Sequence, residues 1–126
     1  MSDKLRLTPL HEGLLLAVSV VAVAVLFTVQ DGLYAWGELL RSAWPALLAA
    51  GLAGVAQGFV EATRGRPSGL SLVLRFFSLV LVFYLARQVG RDLDLSLWAD
   101  GVILAAYFVP AFAAWVAAAD PDTRGA

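Results

Sequence analysis

Four long apolar runs constrain this chain more than anything else in it. They occupy residues 13–29 (GLLLAVSVVAVAVLFTV), 43–62 (AWPALLAAGLAGVAQGFVEA), 69–89 and 97–119. At a helical rise of 1.5 Å per residue, about 17 residues reach roughly 25 Å, near the lower limit for crossing a hydrocarbon core. Inside lipid, every backbone N–H and C=O must find its partner within the protein, so runs of this length are expected to be helices. The first run follows MSDKLR, which has some character of a secretory leader. The run is long for such a leader and no A-x-A site follows it, so a retained helix is expected.

Short connections then fix the topology. RGRPSG joins the second and third runs and GRDLDLS the third and fourth. Links of this length place successive helices antiparallel. The expected fold is an all-α integral membrane protein, four transmembrane helices in an up-down bundle, with residues 1–126 forming one domain. The first connection, QDGLYAWGELLRS, is longer. Leu33, Tyr34, Trp36 and Leu40 line one side of a short helix there, with Glu38 and Arg41 elsewhere, which reads as an interfacial segment with an aromatic anchor. Ser42 is the expected N-cap of the second span, with Pro45 in its first turn. Pro110, near the middle of the fourth span, is expected to kink it.

Composition narrows the function classes. The chain is 60% hydrophobic, against roughly 45–50% in ordinary soluble domains, and its formal net charge is −1. It carries no basic footprint for nucleic acid. With no Cys, disulfides, thiolate metal sites and thiol nucleophiles are absent, and a single histidine, His11, cannot build a histidine metal cluster. No phosphate loop, HExxH, GxSxG or EF-hand pattern occurs. The expectation is a non-enzymatic chain without a cofactor. Eight Arg against one Lys, with no Asn, point to a GC-rich prokaryotic genome.

The polar residues inside the runs are the candidates for function. Arg75 lies six residues into the third span, roughly 9 Å below its end. An arginine at the bilayer centre costs about 2.5–3.5 kcal/mol, and less where it can snorkel to the interface. Three readings are open: snorkelling to phosphates, a buried ion pair with Glu61 and Gln57 across the short loop, or a transport or proton-relay role. In the second span, Ala46, Ala50, Gly54, Gly58 and Ala62 recur every four residues. This small-residue stripe lets another helix approach closely, either a partner's or one of the chain's own. Arg87, Arg91, Asp92, Asp94 and Asp100 gather around the third connection, as a solvated loop or a charged vestibule. Glu12 opens the first span, where it meets the helix dipole favourably. Tyr84, Trp36 and Trp98 suit an aromatic belt, whereas Tyr107 and Trp115 read as packing or belt residues.

Three families of small four-helix membrane proteins bear comparison with these residues. Small multidrug-resistance transporters have four helices at about this length but carry a glutamate deep in the first, where this chain has only Glu12 at the edge. Small fluoride channels rely on a polar pattern that includes Asn, which is absent here. The stretch ALLAAGLAGVAQGFVEA is similar, in small-residue texture alone, to the Gly-rich second helix of the ATP synthase accessory I subunit. That family's acidic-plus-basic pair in the third helix is not matched, because Arg75 has no acid near it there. No family membership follows.

The expected function is therefore a small membrane subunit that packs into or stabilises a larger assembly. The alternatives are a homo-oligomeric transporter or channel, with Gln57, Glu61 and Arg75 at its mouth, and a lipid- or quinone-binding subunit of a membrane enzyme. The expected partners are the lipid bilayer and other membrane subunits or a further copy, and no nucleic acid. Lys4, Arg6, Arg64, Arg66 and Arg124 on one side, against Arg41, Arg87 and Arg91 on the other, place both termini in the cytoplasm and the protein in the cell membrane.

Overall fold

The computed structural model describes residues 9–64 and 69–118, and among them all regular structure is helical. The order is α1 (Pro9–Asp31), α2 (Tyr34–Ser42), α3 (Trp44–Arg64), α4 (Gly69–Leu93) and α5 (Leu97–Ala118). The helices α1, α3, α4 and α5 are each long and apolar enough to cross a membrane. The chain is an all-α membrane bundle of four spans with one short helix between the first two.

Local chemistry sets the helix ends. Gly32, at φ 88°, turns the chain out of α1 while its N–H bonds to Thr28 O at 2.9 Å. A left-handed residue at this position is the ordinary glycine exit from a helix. The end of α4 uses Asp94 in the same way, at φ 57°, a region that Asp tolerates better than most side chains. Leu95 N then reaches Gly90 O at 2.8 Å and Asp94 N reaches Arg91 O at 3.3 Å, the paired bonds of a Schellman end. Ser96 caps α5, its hydroxyl accepting from Trp98 N at 3.3 Å.

The second span starts differently from the sequence expectation. Ser42 is the last residue of α2 rather than the cap of α3. The two helices follow one another across Ala43, whose N–H bonds to Leu39 O at 2.8 Å and whose carbonyl accepts from Leu47 N at 3.0 Å. The backbone ladder thus nearly closes without a side-chain cap, so no serine is needed. The buried face of α2 also differs. Ala35 and Leu39 are fully buried and Trp36 partly so, while Leu33, Tyr34 and Leu40 stay exposed. Small and branched side chains fit the tight approach to the bundle, and the larger exposed ones point where lipid or headgroups lie. On the polar side Arg41 pairs with Glu38 at 2.8 Å.

The hub of the bundle is α5, against which α1, α3 and α4 all pack. In an up-down chain the second and fourth spans run the same way. The contacts agree, with Gly54 facing Tyr107 and Ala111, and Gly58 one turn on facing Ala111 and Trp115. Against α1 the direction reverses, with Gly13 meeting Phe112 and Gly101 meeting Val23. Through Pro110, α5 continues as one helix. The core sits toward the α2 end, where Phe27, Leu39, Ala50, Val82, Ala86, Ile103 and Tyr107 are fully buried. The opposite end, which holds the start of α1 and the end of α5, is called basal below.

Candidate functional site

The small-residue stripe brings the site's walls together. Ala46, Ala50, Gly54 and Gly58 are buried and Ala62 is half-buried. A methyl group on Gly54 or Gly58 would fall within 3 Å of α5 backbone atoms, so only hydrogen allows this approach. The stripe is thus occupied by the chain's own fourth span. The close approach lays Tyr107 and Phe108 of α5 beside the basal halves of α3 and α4.

Above those rings the structure gathers Gln57, Glu61 and Arg75. Arg75 Nη2 donates to Glu61 Oε2 at 2.5 Å, and Gln57 Nε2 donates to the same oxygen at 2.8 Å and to Ser71 O at 3.1 Å. One carboxylate oxygen therefore receives a donor from its own helix and one from α4. The side chain of Glu61 is 8% exposed and that of Arg75 24%. The Arg75 guanidinium carbon stands 5.7 Å from the Tyr107 ring centre and 5.5 Å from that of Phe108. Both lie within the range of cation–π attraction. Tyr107 is itself fully buried. Gln57 Oε1 is buried and has no hydrogen-bond partner among the described residues.

A cleft of about 350 Å³ opens beside this cluster. Its floor is α5, through Phe108, Ala111, Phe112 and Trp115. One wall is α1, with Glu12, Leu15, Leu16 and Ser19, and the other carries Glu61 and Arg75. The cleft exists because α1 packs on α5 but shares no packed seam with α3 or α4. Its lining mixes carboxylates and a guanidinium with aromatic and aliphatic side chains.

The charge group at the α2 end is smaller than the sequence suggested. Of Arg87, Arg91, Asp92, Asp94 and Asp100, only Arg87 and Asp100 form an ion pair, at 2.9 Å. Arg91 instead donates to Gln88 Oε1 at 3.0 Å, and Asp92 and Asp94 are exposed. The Schellman turn explains the split, because it swings Asp92 and Asp94 outward while Asp100, one turn into α5, faces back to α4. Asp100 Oδ1 is buried without a hydrogen-bond partner among the described residues. A different acid does the structural work nearby. Asp31 accepts from Ser96 Oγ at 2.7 Å and from Ser96 N at 3.2 Å, tying the end of α1 to the start of α5. Trp36 reinforces the same corner. Its indole N–H donates to Thr28 Oγ1 at 2.8 Å and its ring meets Phe27 edge-on at 4.8 Å.

Sequence reasoning missed Tyr107 as the ring beneath Arg75, and it missed Asp31 and Trp36 as clamps. The only signal for the clamps was their polar character next to span ends. Lys4, Arg6, Arg66 and Arg124, used above for orientation, lie outside the described residues. No group of three or more metal-ligating side chains occurs among the described residues.

Fold and site together define a multi-pass α-helical membrane protein with an ion pair set into one end of its bundle. Comparison with protein-family models, with curated proteins and with solved structures returns no match.

Proposed function

We propose that this chain is a non-enzymatic subunit that packs into a larger membrane assembly, with α1 as its docking helix. One observation carries this reading. Only 6% of the apolar window of α1 is buried, against 33% for α3 and 22% each for α4 and α5. A single seam on α5 and the clamps at its α2 end hold α1, so most of its circumference is available to another helix. In lipid, helices associate by close packing rather than by hydrophobic drive, and an unencumbered span is the surface on which such packing takes place. The small-residue stripe no longer supports partner docking, because α5 occupies it. The basal end faces the cytoplasm of the cell membrane in this reading, supported by the excess of Lys and Arg in the sequence that flanks those span ends.

The test is gentle extraction followed by native mass spectrometry. Co-purifying polypeptides that are lost from a Val18→Trp, Val25→Trp variant support docking through α1. A wild-type chain that emerges alone, or only with copies of itself, overturns it. The second reading, a homo-oligomeric transporter, draws support from Gln57, Glu61 and Arg75 gathered at one end. Within one copy the fully buried Ala50, Val82, Ala86 and Ile103 close the α2 half of the bundle. A conduction route would therefore run between copies, and flux in liposomes lost on Arg75→Ala would favour that reading.

A further inference from the structure

The cation and the aromatic wall of the basal cleft meet at one level. Glu61 Oε2 touches the Arg75 guanidinium, and that guanidinium stands 5.5 Å from the Phe108 ring centre. Phe108, Phe112 and Trp115 are spaced four and three residues apart, so they share one stripe of α5, and all three line the cleft. The Phe112 and Trp115 ring centres lie 5.9 Å apart. Leu15 and Leu16 of α1 line the cleft as well. Hydrogen-bond donors and flat apolar surface are therefore side by side. A phospholipid separates its polar head from its chains along its length. A quinone carries its carbonyls on the edge of a flat ring.

We propose that the cleft binds the ring of a prenylated quinone from the surrounding leaflet. One carbonyl accepts from Arg75, the ring lies between the aromatic stripe of α5 and the leucines of α1, and the tail leaves sideways. Three observations support this occupant. The Glu61 bond takes one of five guanidinium N–H donors, and the Arg75 side chain is 24% exposed and lines the cleft, so further donors are within a ligand's reach. The Arg75 charge is already met by Glu61. An anion beside it would be a second negative charge facing one cation, whereas a neutral carbonyl needs no counter-charge. Finally, α1 and α4 share no packed seam, so the cleft opens to the bilayer between them. At about 350 Å³ it lies at the lower end of small-molecule sites, which suits a ring and leaves an isoprenoid tail in the leaflet. The site is lined by this chain alone, so it stands whether or not α1 docks a partner.

The test titrates the full-length protein in mild detergent with a geranylgeranyl naphthoquinone and follows tryptophan fluorescence, which quinones quench. Of the four tryptophans, Trp115 lines the cleft, while Trp36, Trp44 and Trp98 belong to the α2 end. Quenching is expected to saturate at one quinone per chain, and Trp115→Phe is expected to remove the saturable part. Arg75→Met is expected to weaken binding about tenfold, as the loss of one charge-assisted hydrogen bond implies. Ser19→Phe, at an exposed position on the cleft wall, leaves the ion pair in place, fills the cleft and is expected to weaken binding by at least as much. Quenching that rises without saturation, or that persists in full in Trp115→Phe, overturns the proposal. So does a folded Arg75→Met or Ser19→Phe chain that binds the quinone as the unaltered protein does. Displacement by an equal amount of a diacylglycerol, which offers the same carbonyl acceptor on flexible chains, overturns the flat ring and assigns the cleft to a glycerolipid.

Discussion

Gly54→Ala tests whether the α3–α5 seam is the spine of the bundle. The added methyl falls within 3 Å of the Tyr107 carbonyl, which is backbone and cannot rotate away. Restoring an ordinary contact of 3.4–4 Å from 2.2 Å requires α3 and α5 to part by roughly 1–2 Å. A gap of that size forfeits about half or more of the dispersion energy across the seam. Strain and lost contact then total about 3 kcal/mol, the upper end of overpacking costs. The control is Gly51→Ala, one turn earlier, whose methyl finds its nearest neighbour, Ala106 O, at 3.9 Å. Both changes gain about 1 kcal/mol in helix propensity, and that gain cancels between them. Gly54→Ala is therefore expected to be about 3 kcal/mol less stable than Gly51→Ala. Unfolding in mixed micelles with rising SDS, followed by tryptophan fluorescence, measures the difference. Two variants within about 0.5 kcal/mol of one another would show that α5 does not occupy the stripe. If Gly54→Ala also dissolved a complex while leaving the monomer intact, the stripe would belong to a partner instead.

The remaining predictions concern the polar contacts. In a Glu61→Gln, Arg75→Met double-mutant cycle, each single change leaves a poorly compensated charge or donor, so the losses are expected to be non-additive by about 1–3 kcal/mol, and additive losses in SDS unfolding would remove the pair. Asp31→Asn weakens a charged bond to Ser96 at the half-buried α1–α5 clamp and is expected to cost about 1 kcal/mol, seen as faster hydrogen exchange at the start of α5. Trp36→Phe keeps the ring contact with Phe27 but loses the bond to Thr28, and is expected to cost about 1 kcal/mol in the same unfolding assay.

The spans were legible because a bilayer allows so few solutions. Apolar runs bounded by Gly, Pro and charges place four helices to within a few residues, and α4 runs past its apolar stretch to Leu93, where the Schellman turn ends it. The proximity of Gln57, Glu61 and Arg75 was also accessible, since a four-residue link forces the flanking turns of α3 and α4 together. What sequence could not supply was which helix fills which groove. The stripe on α3 fits any close-approaching helix, and nothing in its spacing distinguishes α5 from a partner. Tyr107 and Asp31 escaped notice for the same reason: their roles come from contacts 32 and 65 positions away, with Arg75 and Ser96, and no local pattern encodes such contacts.

Energetics explain why an arginine can stay inside this bundle and what it contributes there. At the bilayer centre the residue would cost about 2.5–3.5 kcal/mol, and six residues from a helix end it costs less. Against that stand one charge-assisted bond to Glu61, about 1.5–3 kcal/mol, and attraction to two ring faces, about 0.5–1 kcal/mol each. Desolvating Glu61 to 8% exposure takes back a share of the gain, so the pair comes out near neutral for stability. Its contribution is geometric. Glu61 is fixed by α3, Arg75 by α4 and the rings by α5, so the ion pair is satisfied in one register of three helices whose other contacts are mostly smooth alanine, glycine and valine surfaces. Sliding any helix by one turn strips Arg75 of either its carboxylate or its rings. Dispersion alone discriminates weakly between such registers in lipid, and a charge that must be met discriminates strongly. The same requirement holds the guanidinium at the side of the cleft rather than letting it snorkel away.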